Sequence, residues 1–324
     1  MDKVLITGGS GFIGSYLTKT LVSLGFHVKV FDNNFRGNFK KLYKFKNNID
    51  LINGDIRNIK EINKALKNID TVFHLASING TDLFYKKPNL VLEVGVKGII
   101  NLLDCLKKKK IKNFFYASSS EIYNLPKVIP TPEDVPATIP DLKNPRFSYG
   151  GSKIIGELLC QNYLNKQINR SIIFRPHNIY GPDMGWNHVI PEIIKKICLA
   201  TNKFQKKEAN ISIQGSGLET RSFCFISDFI DGLLLCYRRG LDNNVYNIGN
   251  DSEVTIRDLI SEISKALDIK VKFKIGKLKE GSANRRCPDI TKIKKIGFKP
   301  KILLRDGIEI TAQWYKNKIL KNEK

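Results

Sequence analysis

Short apolar runs of strand length recur through the first half of the chain, each bounded by turn residues and separated by stretches with apolar residues at helical spacing. The runs are KVLIT (3–7), HVKVFD (27–32), DLING (50–54), TVFHLA (71–76), NFFYAS (113–118) and SIIFR (171–175). Helices are predicted between them over Phe12–Leu24, Ile59–Leu66, Leu90–Leu106 and Gly150–Tyr163. This alternation predicts a doubly wound parallel sheet, and strands that are apolar throughout fit burial on both faces. From about residue 176 the pattern loosens into loops, with helices expected at Val189–Ala200, Asp228–Arg238, Ile256–Leu267 and Ile302–Tyr315. The expected organisation is a sheet domain over 1–175, to which 220–250 returns, and a smaller α/β lobe over 176–324.

Composition narrows the class. The 324 residues are 42% hydrophobic and 26% charged, ordinary for a globular chain, but the formal charge is +23. The lysines are scattered, as in KKLYKFKNN and LKKKKIKN, and mixed with many Asn and Ile, a bias that makes solvated faces rather than one patch. No cluster of aromatic and basic residues of the RNA-recognition kind accompanies them, so nucleic acid is not an expected partner. Part of the charge suits the steering of a phosphorylated small substrate. The six cysteines show neither a CxxC pair nor a Cys/His spacing for zinc; no metal is expected, and their scatter fits reduced thiols. MDKVLITGG runs straight into a strand and no apolar stretch is long enough for a membrane span, so a soluble, cytoplasmic protein is expected.

Two motifs carry chemistry. In ITGGSGFIGSYL, Gly8, Gly11 and Gly14 follow a strand and open a helix. Glycines there let the backbone turn tightly and approach a pyrophosphate, which sits on the helix N-terminus. The next strand ends in Asp32, where a carboxylate accepts hydrogen bonds from ribose hydroxyls and repels a 2′-phosphate. That favours NAD over NADP, against which only nearby Arg36 speaks. In SYGGSK, Tyr149 and Lys153 stand four apart at the start of a helix and share one face. An ammonium near a phenol favours the phenolate, which predicts a lowered tyrosine pKa and a usable base.

Together these residues resemble the extended short-chain dehydrogenase/reductase family, in its nucleotide-sugar epimerase and dehydratase branch. TGGSGFIG, GDIRN, HLAS, SSSEIY, YGGSK, RPHNIYGP, TRSFCFISD and YNIGN occur in that family's order over nearly the whole chain. The resemblance implies a Rossmann-type NAD-binding domain with a smaller α/β substrate-binding lobe, and a homodimer paired through Leu90–Leu106 and Gly150–Tyr163. It implies that Gly8, Gly11, Phe12, Ile13 and Gly14 hold the NAD pyrophosphate, and Asp32 and Asn33 the adenosine ribose. Asp55 and Ile56 would flank the adenine, Leu75 and Ala76 would line the cofactor groove, and Pro176 would lie near the nicotinamide. Ser119 aligns with the catalytic Ser or Thr beside Tyr149 and Lys153. Asn178, His188, Val189, Arg221 and Arg286 would contact the sugar diphosphate. Arg286 is preferred over its neighbour Arg285 because it stands three before Asp289. Three positions depart from the family pattern: Gly95 replaces an Asn, Asn124 follows Tyr123 where Gly is common, and the loop INGTDLFY is unlike the usual versions.

The shared first step implied is oxidation at C4 of a nucleotide-linked hexose, with Tyr149 taking the hydroxyl proton beside the nicotinamide, Lys153 holding the tyrosinate and the nicotinamide ribose, so that both also bind the cofactor, and Ser119 bonding the C4 oxygen. Ser120 and Glu121 then bear on the reaction type. Sugar-nucleotide 4,6-dehydratases commonly carry two acids there; this chain carries Ser120 and Glu121, a Ser-Glu pair also found in uronate decarboxylases and GDP-mannose dehydratases. Glu121 either serves catalysis or anchors the loop through a backbone amide or an arginine. The leading expectation is an NAD-dependent nucleotide-sugar 4-epimerase. The alternatives are a 4,6-dehydratase or uronate decarboxylase on the same scaffold and, behind these, a non-catalytic NAD-binding regulator.

Overall fold

The computed structural model describes residues 2–164, 168–277 and 283–321. Its central sheet has seven parallel strands: Lys3–Thr7 (β1), His27–Asp32 (β2), Ile49–Asn53 (β3), Thr71–His74 (β4), Ile111–Ala117 (β5), Ile168–Pro176 (β6) and Asn244–Ile248 (β7). Their order across the sheet is β7-β6-β5-β4-β1-β2-β3. The order reverses between β1 and β4, which opens a crevice beyond the carboxyl ends of those strands. Each run read as a strand from the pattern is one, with ends displaced by at most three residues. Alternate side chains enter opposite layers: Val4, Ile6, Val30, Phe73 and Phe115 join one apolar cluster, and Leu5, Phe31, Val72 and Phe114 the other. Burial on both faces is why the strands lack polar alternation.

Two helices differ from their expected form. The segment predicted as one helix over Leu90–Leu106 is a helix Pro88–Leu92, a π-helical turn Glu93–Lys97 and a helix Gly98–Leu106. Gly95 lies in that wide turn, where a Cβ would sit 2.6 Å from Ser152 Oγ. The close approach to the helix Ser148–Asn162 thus excludes the larger residue that the family pattern would place there. The last helix runs Leu304–Leu320 rather than from Ile302, because the amides of Lys301 and Ile302 donate to the Asp228 carboxylate at 3.0 and 2.9 Å.

Outside the sheet, Thr220–Ser222 lies between Glu253–Thr255, antiparallel, and Arg285–Arg286, parallel. That register sets Arg286 opposite Arg221. Among the described residues no helix is long and apolar enough to cross a membrane, and no group of three or more His, Cys, Asp or Glu is placed to hold a metal. All six cysteines are buried and unpaired.

Gly156, on the helix Ser148–Asn162, rests on Tyr116 of β5; a Cβ there would fall 1.9 Å from the phenolic oxygen. Tyr116 is only 1% exposed and has no room to swing away. Gly156→Ala is expected to lower the unfolding free energy by about 1–3 kcal/mol, read as a drop in Tm; an unchanged melt would contradict this packing.

Candidate active site

The turn after β1 needs glycine at two points. Gly8 has φ +72°, and a Cβ on it would lie 2.8 Å from the Ala76 amide nitrogen in the segment after β4. A Cβ on Gly14 would lie 2.3 Å from the Gly8 carbonyl oxygen, so only glycine lets the helix Phe12–Ser23 start flush against the strand. At the end of β2 the Asp32 carboxylate accepts from the amides of Ser10 at 3.0 Å and Asn34 at 2.8 Å, which fixes it at the rim. Asn33 donates to Asp55 at 3.0 Å, and hydrogen bonds from Arg57 hold the Asp55 carboxyl down at about 2.

The residues nominated from the sequence meet in one continuous space. Gly8, Gly11, Phe12, Ile13, Gly14, Asp32, Asn33, Asp55, Ile56, Leu75 and Ala76 line one part of a cleft of about 410 Å³. Ser119, Ser120, Glu121, Tyr149, Lys153, Pro176, Asn178, His188 and Arg286 line the rest. Val189 and Arg221 lie in an adjoining recess that shares Asn178, His188 and Arg286. Arg285, one residue away, turns to Glu253 at 2.6 Å instead.

Where β5 ends, its serines divide the work. The Ser118 amide donates to the Phe174 carbonyl at 2.9 Å, tying the loop to β6. Ser119 is extended, and its hydroxyl accepts from the Glu121 amide at 3.2 Å, capping the single 3-10 turn Ser120–Tyr123. Opposite, the helix Ser148–Asn162 approaches so closely that a Cβ on Gly150 would be 3.1 Å from the Glu121 carbonyl oxygen. Tyr149 therefore faces the loop, with its phenol beside Ser119 and Ser77 and its ring stacked on Phe84, centroids 5.0 Å apart.

Electrostatics correct one expectation. Burial pushes the Tyr149 phenol up to about 12, against the lowered value that Tyr-x-x-x-Lys suggested. The Lys153 ammonium donates to the Ala117 carbonyl at 2.6 Å and lies 5.6 Å from the Tyr149 ring centre. Burial lowers Lys153 itself to about 7. Desolvation is the largest effect on both groups.

At the far end of the cleft the charge balance is lopsided. Glu121 accepts from Arg286 at 2.6 Å and has Arg146 at 3.9 Å; against the cost of burial these arginines hold its carboxyl below the usual range. Arg221 donates to the carbonyls of Thr220 and Ala283, both at 2.7 Å, and burial together with Arg286 lowers it to about 10. His188, lowered to about 4 by burial, is neutral at physiological pH. Three arginines thus converge on one carboxylate. Sequence reasoning missed Arg146, whose signal is its place three residues before Tyr149, and Phe84, which carries none.

Comparison with known proteins gives the family. A family model described as NAD dependent epimerase/dehydratase family matches residues 4–249. The chain belongs to that family. A UDP-N-acetyl-alpha-D-glucosaminuronate decarboxylase of Bacillus cytotoxicus is 30% identical over 97% of this chain and 98% of its own. A UDP-glucuronic acid decarboxylase of Arabidopsis thaliana is 31% identical over 96% and 88%. Among solved structures, a UDP-glucuronic acid 4-epimerase from Bacillus cereus, in complex with UDP-glucuronic acid and NAD, superposes with a TM-score of 0.86 at 28% identity, covering 97% of this chain and 99% of that one.

As a member of the NAD-dependent epimerase/dehydratase family the chain is an enzyme, and its residues fit the cofactor. The cradle at Gly8 and Gly14 is one a Cβ would fill, and the fixed Asp32 carboxylate suits a free ribose diol.

The buried ammonium has a stability signature. Because Lys153 is lowered from 10.5 to about 7, the native state binds fewer protons than the unfolded chain between those values, and this group makes stability rise with pH across that window. Lys153→Met is expected to be inactive yet to melt above the wild type below pH 7, with the gap closing as pH rises towards 10.5. A gap independent of pH would contradict this.

Proposed function

We propose that the enzyme acts on a UDP-linked hexuronic acid, oxidising C4 and then releasing the C6 carboxylate as CO2. The observation that carries this reading is the convergence of Arg146, Arg221 and Arg286 on Glu121, which leaves positive charge for both a diphosphate and a sugar carboxylate. The two decarboxylase relatives and the 4-epimerase neighbour are all named for UDP-uronic acids, which supports the same substrate class.

In this reading Tyr149 takes the C4 hydroxyl proton as the phenolate, which the Lys153 ammonium and the positive charge of a bound oxidised nicotinamide would favour against the cost of burial, while Ser119 hydrogen-bonds the C4 oxygen. NAD, when bound, supplies the acceptor and later the donor of the C4 hydride. A C4 ketone stands β to the C6 carboxylate, so the C5–C6 bond breaks with its electron pair flowing into the ketone, CO2 leaves, and C5 takes a proton. Decarboxylation needs no base at C5 and no rotation of the sugar. The second reading is 4-epimerisation of the same substrate, favoured by the likeness to the Bacillus cereus 4-epimerase. The same reading takes the enzyme to be a cytoplasmic homodimer, with exposed Leu92 and Leu158 on the pairing helices.

NMR of the enzyme with UDP-glucuronic acid in deuterated water tests this. CO2 release with a UDP-pentose deuterated at C5 is expected; a UDP-hexuronate inverted at C4 without deuterium would establish the second reading, and an unchanged substrate would overturn both. Tyr149→Phe should lower kcat by about 10²–10⁴-fold with NAD affinity unchanged. Arg146→Met should raise KM for the uronic acid by about 10–100-fold while leaving UDP binding intact, the loss of one charge-assisted hydrogen bond.

A further inference from the structure

Three sequence motifs contain a residue that the cleft does not use: Tyr123 of SSSEIY, Arg175 of RPHNIYGP, and Asn247 of YNIGN. All three are buried, and they meet. The Arg175 guanidinium makes a two-pronged pair with Glu157, at 2.8 and 2.6 Å, and donates to the Tyr123 hydroxyl at 2.6 Å. Tyr123 in turn donates to Asn247 Oδ1 at 2.8 Å. Asn247 Nδ2 donates to the carbonyls of Thr131 at 3.0 Å and Asp289 at 3.1 Å.

Each end of this chain of bonds lies beside a group of the cleft. Glu157 is one helical turn beyond Lys153, on the helix that also carries Tyr149. Tyr123 closes the turn that Ser119 caps and that presents Glu121. Asp289 lies three residues beyond Arg286, and the Thr131 amide donates to the Cys287 carbonyl between them at 2.9 Å. A bidentate guanidinium fixes both distance and orientation, whereas a single apolar contact fixes neither.

We infer that Arg175, Tyr123 and Asn247 are positioning residues, which set the Tyr149–Lys153 helix, the Ser119–Glu121 loop and the Arg286 arm in one register for catalysis. The inference rests on the reading of the cleft as a C4-oxidising nucleotide-sugar site. Register errors of this kind slow chemistry more than binding, since the reacting atoms must align closely whereas Arg286 is one of several groups facing the diphosphate.

Tyr123→Phe removes one hydroxyl and little volume. It is expected to lower kcat at least about tenfold, with KM and the affinities for NAD and UDP within about twofold of wild type. It should also raise the fraction of turnovers released at the 4-keto stage, which a merely structural role would not move. Arg175→Met should lose more, and Arg175→Lys should recover part of the loss; should Arg175→Met not fold, Tyr123→Phe decides alone. A wild-type kcat in Tyr123→Phe, or a loss shared equally by UDP affinity and kcat, overturns the inference. A wild type that turns over no nucleotide sugar overturns instead the reading on which it rests.

Discussion

A carboxylate and a guanidinium 2.6 Å apart organise the far end of the cleft. Glu121 comes from the turn after β5 and Arg286 from the short strand Arg285–Arg286, segments 165 residues apart in sequence. Neither group sits there cheaply. Against the cost of burial Glu121 is held ionised by Arg286 and Arg146, and removing one partner of a buried pair costs several kcal/mol because the remaining charge is stranded. The pair therefore joins the loop bearing Ser119 to the short strands bearing Arg221 and Arg286. An anion entering this end meets arginines already arranged around a carboxylate, and must share or displace that carboxylate.

The same rule, that a buried charge needs a partner, governs the other ionic groups near the cleft. Lys153 leans on the Ala117 carbonyl, a neutral partner that leaves its ammonium destabilised. Arg175 has a full carboxylate in Glu157, and the hydrogen bonds between them hold it firmly charged. One cation is thus poised to change state while the other is fixed. The difference comes from what each faces across a few ångströms of protein interior.

Much of this was legible in the residues themselves. The six apolar runs, the glycine turn with Asp32 one strand later, and Tyr149 four before Lys153 are local features, because strand period, turn geometry and helix pitch act over a few residues. Arg286 could be preferred over Arg285 from its spacing to Asp289, and alternation along a two-residue strand does send them to different sides. The π-helical turn at Gly95 was not legible, since it answers to Ser152 on another helix. The tyrosine pKa was misread for a related reason: helical spacing brings the ammonium near, but the depth of burial decides which effect wins.

By itself the sequence determined the order of elements, the doubly wound sheet, the cofactor turn and the family of chemistry, all of which follow from short-range pattern. Only the tertiary structure decided that Glu121 faces Arg286 and Arg146, that Lys153 leans on a carbonyl, and that Tyr123, Arg175 and Asn247 form one buried chain of bonds. Such pairings join residues tens to more than a hundred positions apart. Their strength depends on distance, orientation and exclusion of water, none of which is written in any local stretch of the chain.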